Sequence, residues 1–345
     1  MNQSICIIDT TLRDGSHAVK HQFTADQAAS IVSRLAGAGC RMVEIAHGDG
    51  LGGSSYQYGF SGTPELELIK AGVKAAAEAG PETEVGCLLI PGIGTIEDLE
   101  KAVETGIRFV RVATHCTEAD VGIQHIKAAK KLGLKAFGFL MMVHMQEKDE
   151  LLRQSEIFKE CGADAVYFAD SAGALLPEQV SERIAHIVNN LGLPVGFHAH
   201  NNLGLAIANS LAAQSAGASY IDATLRGLGA GAGNAAHEVL EAVLHKYNCT
   251  SGANLYQLMD AAQDCIGALP VHMLIDKFSL TLGYAGVYGS FYLHALRAAE
   301  RFGLDARDIL VELGHMKTVG GQEDMIIDVA YRLSQEREKN GQQKK

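Results

Sequence analysis

The sequence predicts a closed (β/α)8 TIM barrel over residues 1–250, a small helical C-terminal domain over 251–335, and a solvated tail over 336–345. Three observations lead to that reading. First, one pattern occurs four times, as "AGAGCRMVEIAHGD" (36–49), "VETGIRFVRVATHC" (103–116), "KECGADAVYFADSA" (159–172) and "QSAGASYIDATLRG" (214–227). Each copy joins a helix end to a glycine that can take the left-handed conformation, then to an apolar strand with a polar end. Second, four more strand-like runs alternate with these, "SICIID" (4–9), "EVGCLLI" (84–90), "LKAFGFLMMV" (134–143) and "PVGFHAH" (194–200). Third, helical segments such as 24–39 and 177–192 separate the runs, making eight strands and eight helices by residue 247. Near-continuous apolar strands between amphipathic helices argue for a parallel sheet covered on both faces. Eight such units in about 250 residues match a closed barrel. An open doubly wound sheet is the alternative that the same alternation permits.

After residue 250 the texture changes. "GSFYLHALRAAERFG" (289–303) and "ARDILVELGHM" (306–316) read as helices, and "QEREKNGQQKK" closes the chain as a solvated segment. The 345 residues allow a sizeable core, and 47% hydrophobic with 20% charged residues fits a globular enzyme. A net charge of −11 argues against a nucleic-acid partner. No apolar run is long enough for a membrane span, and the first residues lack the features of a signal peptide. Seven scattered cysteines without a C-x-x-C read as reduced thiols, which implies a cytoplasmic protein.

In a barrel of this type chemistry sits at the C-terminal ends of the strands. Polar residues collect there. The first strand leads to Arg13, Asp14 and His17, the second to His47 and Asp49, and the fourth to His115. The fifth leads to His144, the sixth to Asp170 and Ser171, and the seventh to His198 and His200. A lone histidine is more often a hydrogen-bonded structural group than a catalyst. Six at one address raise the functional reading for the set. His198 and His200 are the sharpest pair, because residues i and i+2 of a strand point to one face. A single carboxylate would complete a two-His-one-carboxylate site, and barrel closure brings Asp14 beside the seventh and eighth strands. Such ligands suit Mn²⁺, Co²⁺, Mg²⁺ or Zn²⁺, and the absence of thiolates disfavours a structural zinc site. The plainer reading is two histidines hydrogen-bonded in a polar barrel mouth. "GLGAGAGN" (227–234) resembles a dinucleotide fingerprint but follows the last strand and has no acid in the expected place. A glycine turn that admits a ligand close to the backbone fits better, so no nucleotide cofactor is expected. Asn234 either reaches the metal region or caps the next helix. Cys116 reads as a buried thiol sooner than a nucleophile.

The motifs "DTTLRDGSH" (9–17), "FADSAG" (168–173), "HAHNN" (198–202) and "GLGAGAGNAAHE" (227–238) resemble the barrel superfamily of hydroxymethylglutaryl-CoA lyase, isopropylmalate synthase and pyruvate-forming aldolases. Within it, "AHGDGLGGSSYQYGF" (46–60), "VRVATHCTEAD" (110–120), "GYAGVYGSF" (283–291) and "VGGQEDMI" (319–326) resemble the 4-hydroxy-2-oxovalerate aldolases. The likeness runs from about residue 5 to 332 and includes the helical domain. Isopropylmalate synthases carry Gln where His17 stands, and the CoA lyases have a Cys in the glycine-rich loop that this chain lacks. Both departures favour the aldolase branch. Asn201 stands where some aldolases have His, which leaves fine specificity open.

The resemblance implies a divalent-metal-dependent lyase that cleaves 4-hydroxy-2-oxo acids to pyruvate and a short aldehyde, acetaldehyde for the parent substrate. It implies that Asp14, His198 and His200 hold the metal, with Mn²⁺ favoured over Co²⁺ or Mg²⁺. It assigns enolate stabilisation to Arg13 and the base to His17. Ser171 is to touch the substrate carboxylate, His198 also to contact substrate, and Tyr288 to reach in from the helical domain. It also implies a hetero-oligomer with an acylating acetaldehyde dehydrogenase that takes up the aldehyde. A Claisen-type acyl-CoA condensing enzyme or CoA lyase is the nearest rival, separable by trapping a released thiol. A non-catalytic partner subunit is a rival of another class, and the intact Arg13, Asp14, His17, His198 and His200 argue against it.

Overall fold

The computed structural model describes residues 5–342. Eight parallel strands close into a barrel in chain order, β1 (Cys6–Leu12), β2 (Met42–Ile45), β3 (Glu84–Leu89), β4 (Phe109–His115), β5 (Lys135–Met141), β6 (Ala165–Asp170), β7 (Val195–Ala199) and β8 (Tyr220–Ala223). Closure pairs β1 with β8, Cys6 opposite Tyr220 and Asp9 opposite Ala223. Eight helices follow the strands: α1 (Ala25–Gly37), α2 (Glu65–Ala79), α3 (Ile96–Glu104), α4 (Ile123–Lys131), α5 (Lys148–Glu160), α6 (Pro177–Leu191), α7 (Ala206–Ser215) and α8 (His237–Lys246). The closed barrel, not the open sheet, is therefore the architecture. The glycines of the fourfold pattern, Gly39, Gly106, Gly162 and Gly217, all have φ between 89° and 103°. They end their helices in the left-handed conformation and turn the chain into the next strand.

One apolar layer lies between strands and helices, and a second fills the barrel itself with Ile8, Phe109, Phe137, Phe139 and Tyr167. Phe137 stacks on Phe109 and Tyr167 at 5.9 and 6.1 Å between ring centroids. Room for these rings comes from the neighbouring strands. A Cβ on Gly86 or Gly196 would lie 2.4 Å from the ring of Phe109 or Tyr167. The rings form the floor beneath the strand ends, where Phe139 meets His198 edge-on at 5.9 Å, a packed core of the kind such barrels require.

Two expectations need correction. The sequence pattern ends the first strand at Asp9, but the strand continues to Leu12. Asp9 is fully buried and paired, accepting from the Thr11 amide at 2.9 Å and lying 2.8 Å from His237 Nδ1, so its charge does not interrupt the strand. The tail expected from residue 336 is helical as far as Gln342, and residues 343–345, like 1–4, lie outside those described. Gln, Glu, Arg and Lys are good helix formers, and Arg337 donates to the Gly303 carbonyl at 2.6 Å.

The apolar core divides later than residue 250. The helix α9 (Leu255–Ala261) and the turn after it pack on the barrel through Leu258, Ala262 and Ile266. A separate core joins α10 (Lys277–Ala285), α11 (Phe291–Phe302), α12 (Ala306–His315) and α13 (Met325–Gln342) around Phe291, Ile309, Leu313 and Val329. Among the described residues no helix is long and apolar enough to cross a membrane.

Candidate active site

The site forms where β1, β7 and β8 meet. His198 and His200 share a face, as the strand alternation predicts, with their Nε2 atoms 3.2 Å apart. Asp14 sits in a 3-10 turn (Asp14–His17) just past β1, and its Oδ2 lies 3.6 Å from His198 Nε2 and 3.8 Å from His200 Nε2. Two ligands at about 2.1 Å from a cation and at right angles to each other stand about 3 Å apart, so this triangle is close to the size that a divalent ion needs. The donor set is two imidazoles and one carboxylate, all buried.

The groups behind this triangle aim its lone pairs. His198 Nδ1 lies 2.8 Å from Asp222 Oδ2, which fixes the proton on Nδ1 and leaves the Nε2 lone pair facing inward. The other oxygen of Asp14, Oδ1, accepts from the Asn234 amide at 3.0 Å and from the Ala230 backbone N–H at 3.2 Å. That is the work of the glycine-rich loop. A Cβ on Gly229 would stand 2.4 Å from Asn234 Nδ2 and 2.9 Å from Asp14 Oδ1. Asn234 thus reaches the candidate metal region, and the N-cap position of α8 falls to Ala236, which makes no side-chain cap. Burial alone would raise the Asp14 carboxyl, but the Arg13 guanidinium and the imidazoles of His200, His198 and His17 hold it well below the usual range. Burial pushes His200 down to about 4, against the pull of Asp14, which keeps its ring neutral and able to ligate.

Arg13 is clamped from both sides. Its Nη1 donates to Asp14 Oδ2 and its Nε to Glu44 Oε2, each at 2.7 Å. Its Nη2 is buried without a partner, a donor aimed at nothing in the protein. A native protein rarely leaves such a group unpaired unless a ligand satisfies it. Glu44 in turn accepts from Arg111 at 2.6 and 2.5 Å, and Arg111 donates to Asp222 at 2.5 Å. Arg111 lies over the rings of Phe139 and Tyr167 at 4.9 and 4.8 Å, so its charge rests on the aromatic floor. A ring of buried polar groups therefore runs Asp14, Arg13, Glu44, Arg111, Asp222, His198 and back to Asp14.

His17 lies at the rim of the same turn. Its ring meets that of His21 edge-on at 5.1 Å and packs on Gly48, where a Cβ would fall 2.5 Å from Nε2. His21 stacks on His47 at 3.6 Å, lies 3.1 Å from Ser16 Oγ and accepts from the Gly48 amide at 3.4 Å. Burial, then the His47 and His17 imidazoles, push His21 down to about 3. His17, His21 and Asp49 form a second group of potential ligand atoms.

Not every polar strand end belongs to the centre. His47 pins its own loop through the Asp49 amide at 3.1 Å and the Gly59 carbonyl at 3.1 Å. Asp170 accepts from the Ala174 and Leu175 amides at 2.9 and 3.0 Å, and burial pushes its carboxyl up to about 6. His115 lies 2.8 Å from Thr117 Oγ1, and His144 lies 3.0 Å from the Gly286 carbonyl. Cys116 is buried, which pushes its thiol up to about 12 and removes it as a nucleophile. Ser171 accepts from the Met142 amide at 3.1 Å. Tyr288 packs on the barrel core, with Cys116 and Glu118 near enough to act on its hydroxyl electrostatically. No hydrogen bond or ion pair among the described residues joins Ser171 or Tyr288 to the Asp14 triangle.

Sequence reasoning missed Glu44, Arg111, Asp222 and His21. For the first three the signal was present. Each is a charged residue in the middle of a strand otherwise read as buried ("RMVEIAH", "FVRVATH", "SYIDAT"), and charges do not stay there unpaired.

The chain is similar to known proteins over nearly its whole length. Residues 4–265 match the HMGL-like family and residues 273–335 the DmpG-like communication domain. The 4-hydroxy-2-oxovalerate aldolase of Carboxydothermus hydrogenoformans is 56% identical over 97% of this chain and 98% of its own length. That of Moorella thermoacetica is 55% identical over 97% and 98%. The carboxyl transferase domain of Rhizobium etli pyruvate carboxylase, solved with pyruvate and biocytin, shares the fold. It has a TM-score of 0.75 at 15% identity, over 97% of this chain and 61% of that one. With more than half of its residues shared over nearly the full length of both chains, this chain belongs to the 4-hydroxy-2-oxovalerate aldolase family and is a lyase.

Proposed function

We propose that this chain cleaves the C3–C4 bond of 4-hydroxy-2-oxovalerate and related 4-hydroxy-2-oxo acids by retro-aldol chemistry, giving pyruvate and acetaldehyde or another short aldehyde. The observation that carries this reading is the unpaired, buried Nη2 of Arg13 beside the Asp14, His198 and His200 triangle. The three residues fit a divalent ion, and the family resemblance favours Mn²⁺ over Co²⁺ or Mg²⁺. When bound, that ion supplies Lewis-acid polarisation of the 2-oxo group and the carboxylate. Asp222, through His198, and Asn234, through Asp14, orient the ligands. Breaking C3–C4 leaves its electron pair on C3, delocalised as an enolate, and Arg13 Nη2 donates to the oxygen where that charge develops. His17 accepts the proton of the C4 hydroxyl, whose oxygen becomes the aldehyde carbonyl. C3 then takes up a proton to give pyruvate. Ser171 contacts the substrate carboxylate, and Tyr288 closes the pocket from the helical domain.

The test is aldol cleavage by protein stripped with a chelator, with and without added Mn²⁺, Co²⁺ or Mg²⁺. Cleavage is expected to vanish on stripping and return with the ion. Full cleavage by verified metal-free protein, or thiol release from an acyl-CoA in its place, would overturn the proposal.

The base assignment has its own signature. Proton exchange at C3 of pyruvate needs enolate stabilisation but no hydroxyl proton transfer. His17→Ala is therefore expected to lose cleavage by about 10²- to 10⁴-fold while exchange falls far less. Gly48→Ala should imitate it, because the added methyl would collide with the His17 ring. NMR measurement of deuterium uptake into pyruvate beside the cleavage rate checks this, and equal losses in both reactions would count against His17.

The match to a communication domain supports an acylating acetaldehyde dehydrogenase as partner, taking acetaldehyde before it escapes to solvent. Leu274, Tyr284, Leu293 and Tyr331 leave apolar surface exposed on the helical domain. Co-expressed with such a dehydrogenase, the chain is expected to elute as a hetero-oligomer in size-exclusion chromatography with light scattering. Separate elution at micromolar concentration, with aldehyde fully intercepted by a competing enzyme, would refute channelling and leave the aldolase reading intact. Seven free cysteines support a cytoplasmic location.

A further inference from the structure

The segment after β5 is one of the places where barrel and helical domain are joined. Met142 is a non-glycine residue in the left-handed conformation, with φ 57° and ψ 39°. Its amide donates to Ser171 Oγ at 3.1 Å and its carbonyl accepts from the Cys116 thiol at 3.4 Å. A strained residue of this kind persists only where its surroundings hold it. Two residues on, His144 Nε2 lies 3.0 Å from the Gly286 carbonyl. A carbonyl only accepts, so Nε2 carries the proton, and the other ring nitrogen, Nδ1, is buried without a partner. Burial holds the His144 ring down to about 4, so it stays neutral and keeps one N–H through the ordinary pH range. Lys317 ties the end of α12 to the same turn, donating to the Met145 carbonyl at 2.9 Å.

Gly286 ends α10 with φ 68°, and a Cβ there would stand 3.0 Å from His144 Nε2. Tyr288 follows two residues later, packed on the barrel core. The backbone bonds around it are local: Gly286 and Val287 both donate to the Leu282 carbonyl, Phe291 to that of Tyr288 and Tyr292 to that of Gly289, while Val287 and Phe291 are buried in the helical core. Among the described residues, the hydrogen bond from His144 is the one that reaches from the barrel to the backbone of this loop.

We infer that His144 is a positioning residue for the cleavage reaction: its Nε2–H, given to the Gly286 carbonyl, fixes the loop that presents Tyr288 at the barrel mouth. The role in cleavage rests on the reading of Tyr288 as the group that closes the substrate pocket. The same turn holds Ser171 through Met142, so one short segment sets both residues that the Asp14 triangle does not itself contact. His144 acts through Tyr288 and touches no substrate.

The experiment uses the full chain loaded with Mn²⁺ and compares wild type, His144→Ala, His144→Gln and Tyr288→Phe, alone and combined. Hydrogen–deuterium exchange over residues 282–291 reads the loop directly. His144→Ala is expected to lose protection there and to lose on the order of 10- to 100-fold in cleavage kcat/KM, while C3 exchange of pyruvate stays within about twofold. Gln places its amide nitrogen where Nε2 stood, so His144→Gln is expected to recover both. Adding Tyr288→Phe to His144→Ala should cost less than the sum of the two. Should His144→Ala fail to fold, His144→Asn repeats the test, because its shorter amide cannot reach Gly286. Unchanged protection in the variant overturns the positioning bond. Lost protection with unchanged cleavage overturns its role in the reaction. Equal losses in cleavage and in C3 exchange also overturn it, since they mean general damage to the site. A wild-type chain without cleavage indicts the proposed function instead, and the protection measurement still decides the bond.

Discussion

His200→Ala is expected to lose both bound divalent metal and aldol cleavage while the fold survives. One of three ligands disappears, and His198 and Asp14 are left 3.6 Å apart with no third side chain to complete the set. The loss in cleavage should be on the order of 10³-fold or more, since enolate stabilisation depends on preorganised positive charge at the developing oxyanion. Metal content after gel filtration, read by mass spectrometry, should fall from stoichiometric to background, with far-UV circular dichroism unchanged. His200 stands just past β7 and is not part of the aromatic cluster that fills the barrel, so that cluster is expected to survive its removal. Asp222→Asn should give a graded version. It keeps a hydrogen-bonding group beside His198 Nδ1 but loses the carboxylate, and metal affinity should fall about 10- to 100-fold. Retention of metal and of full activity by His200→Ala would dismiss the site.

Glu44→Gln should produce the largest effect on stability. Glu44 is completely buried and is the anion shared by Arg13 and Arg111. Removing one partner from a buried ion network leaves uncompensated charge in a low dielectric, which costs about 3–5 kcal/mol. Cleavage should fall as well, because Arg13 loses the clamp on Nε that orients its free Nη2. The pH dependence follows from the sign of the shift. Burial alone would raise the Glu44 carboxyl, but Arg111 and Arg13 bring it down to about 2 from an ordinary 4.5. A depressed carboxyl contributes stability that is fully present above 4.5 and lost as pH falls from there toward 2. Urea unfolding of wild type and variant should therefore differ by a constant amount above about pH 5 and converge below it. A gap that stays constant down to the acid limit would mean that Glu44 holds no ionised role in the fold.

The eight strands, their glycine-ended helices and the address of the site were legible because each depends on local chemistry. A left-handed glycine after a helix, an apolar run and the period-two alternation that turns His198 and His200 to one face are all properties of a few consecutive residues. What the tertiary structure alone decided was pairing across distance. Barrel closure set Asp14 against two histidines nearly two hundred positions away, and the glycine loop against Asp14. It also sorted the six histidines at the strand ends, two in the centre, His17 at its rim and three spent on loops or on the helical domain, a choice that ring orientation makes and residue type does not. Glu44, Arg111 and Asp222 show the boundary most clearly. Each charge buried in a strand had to have a partner, since an unpaired ion in the interior costs more than a domain can spare. Which partner each found depended on strands β2, β4 and β8 meeting inside one closed barrel.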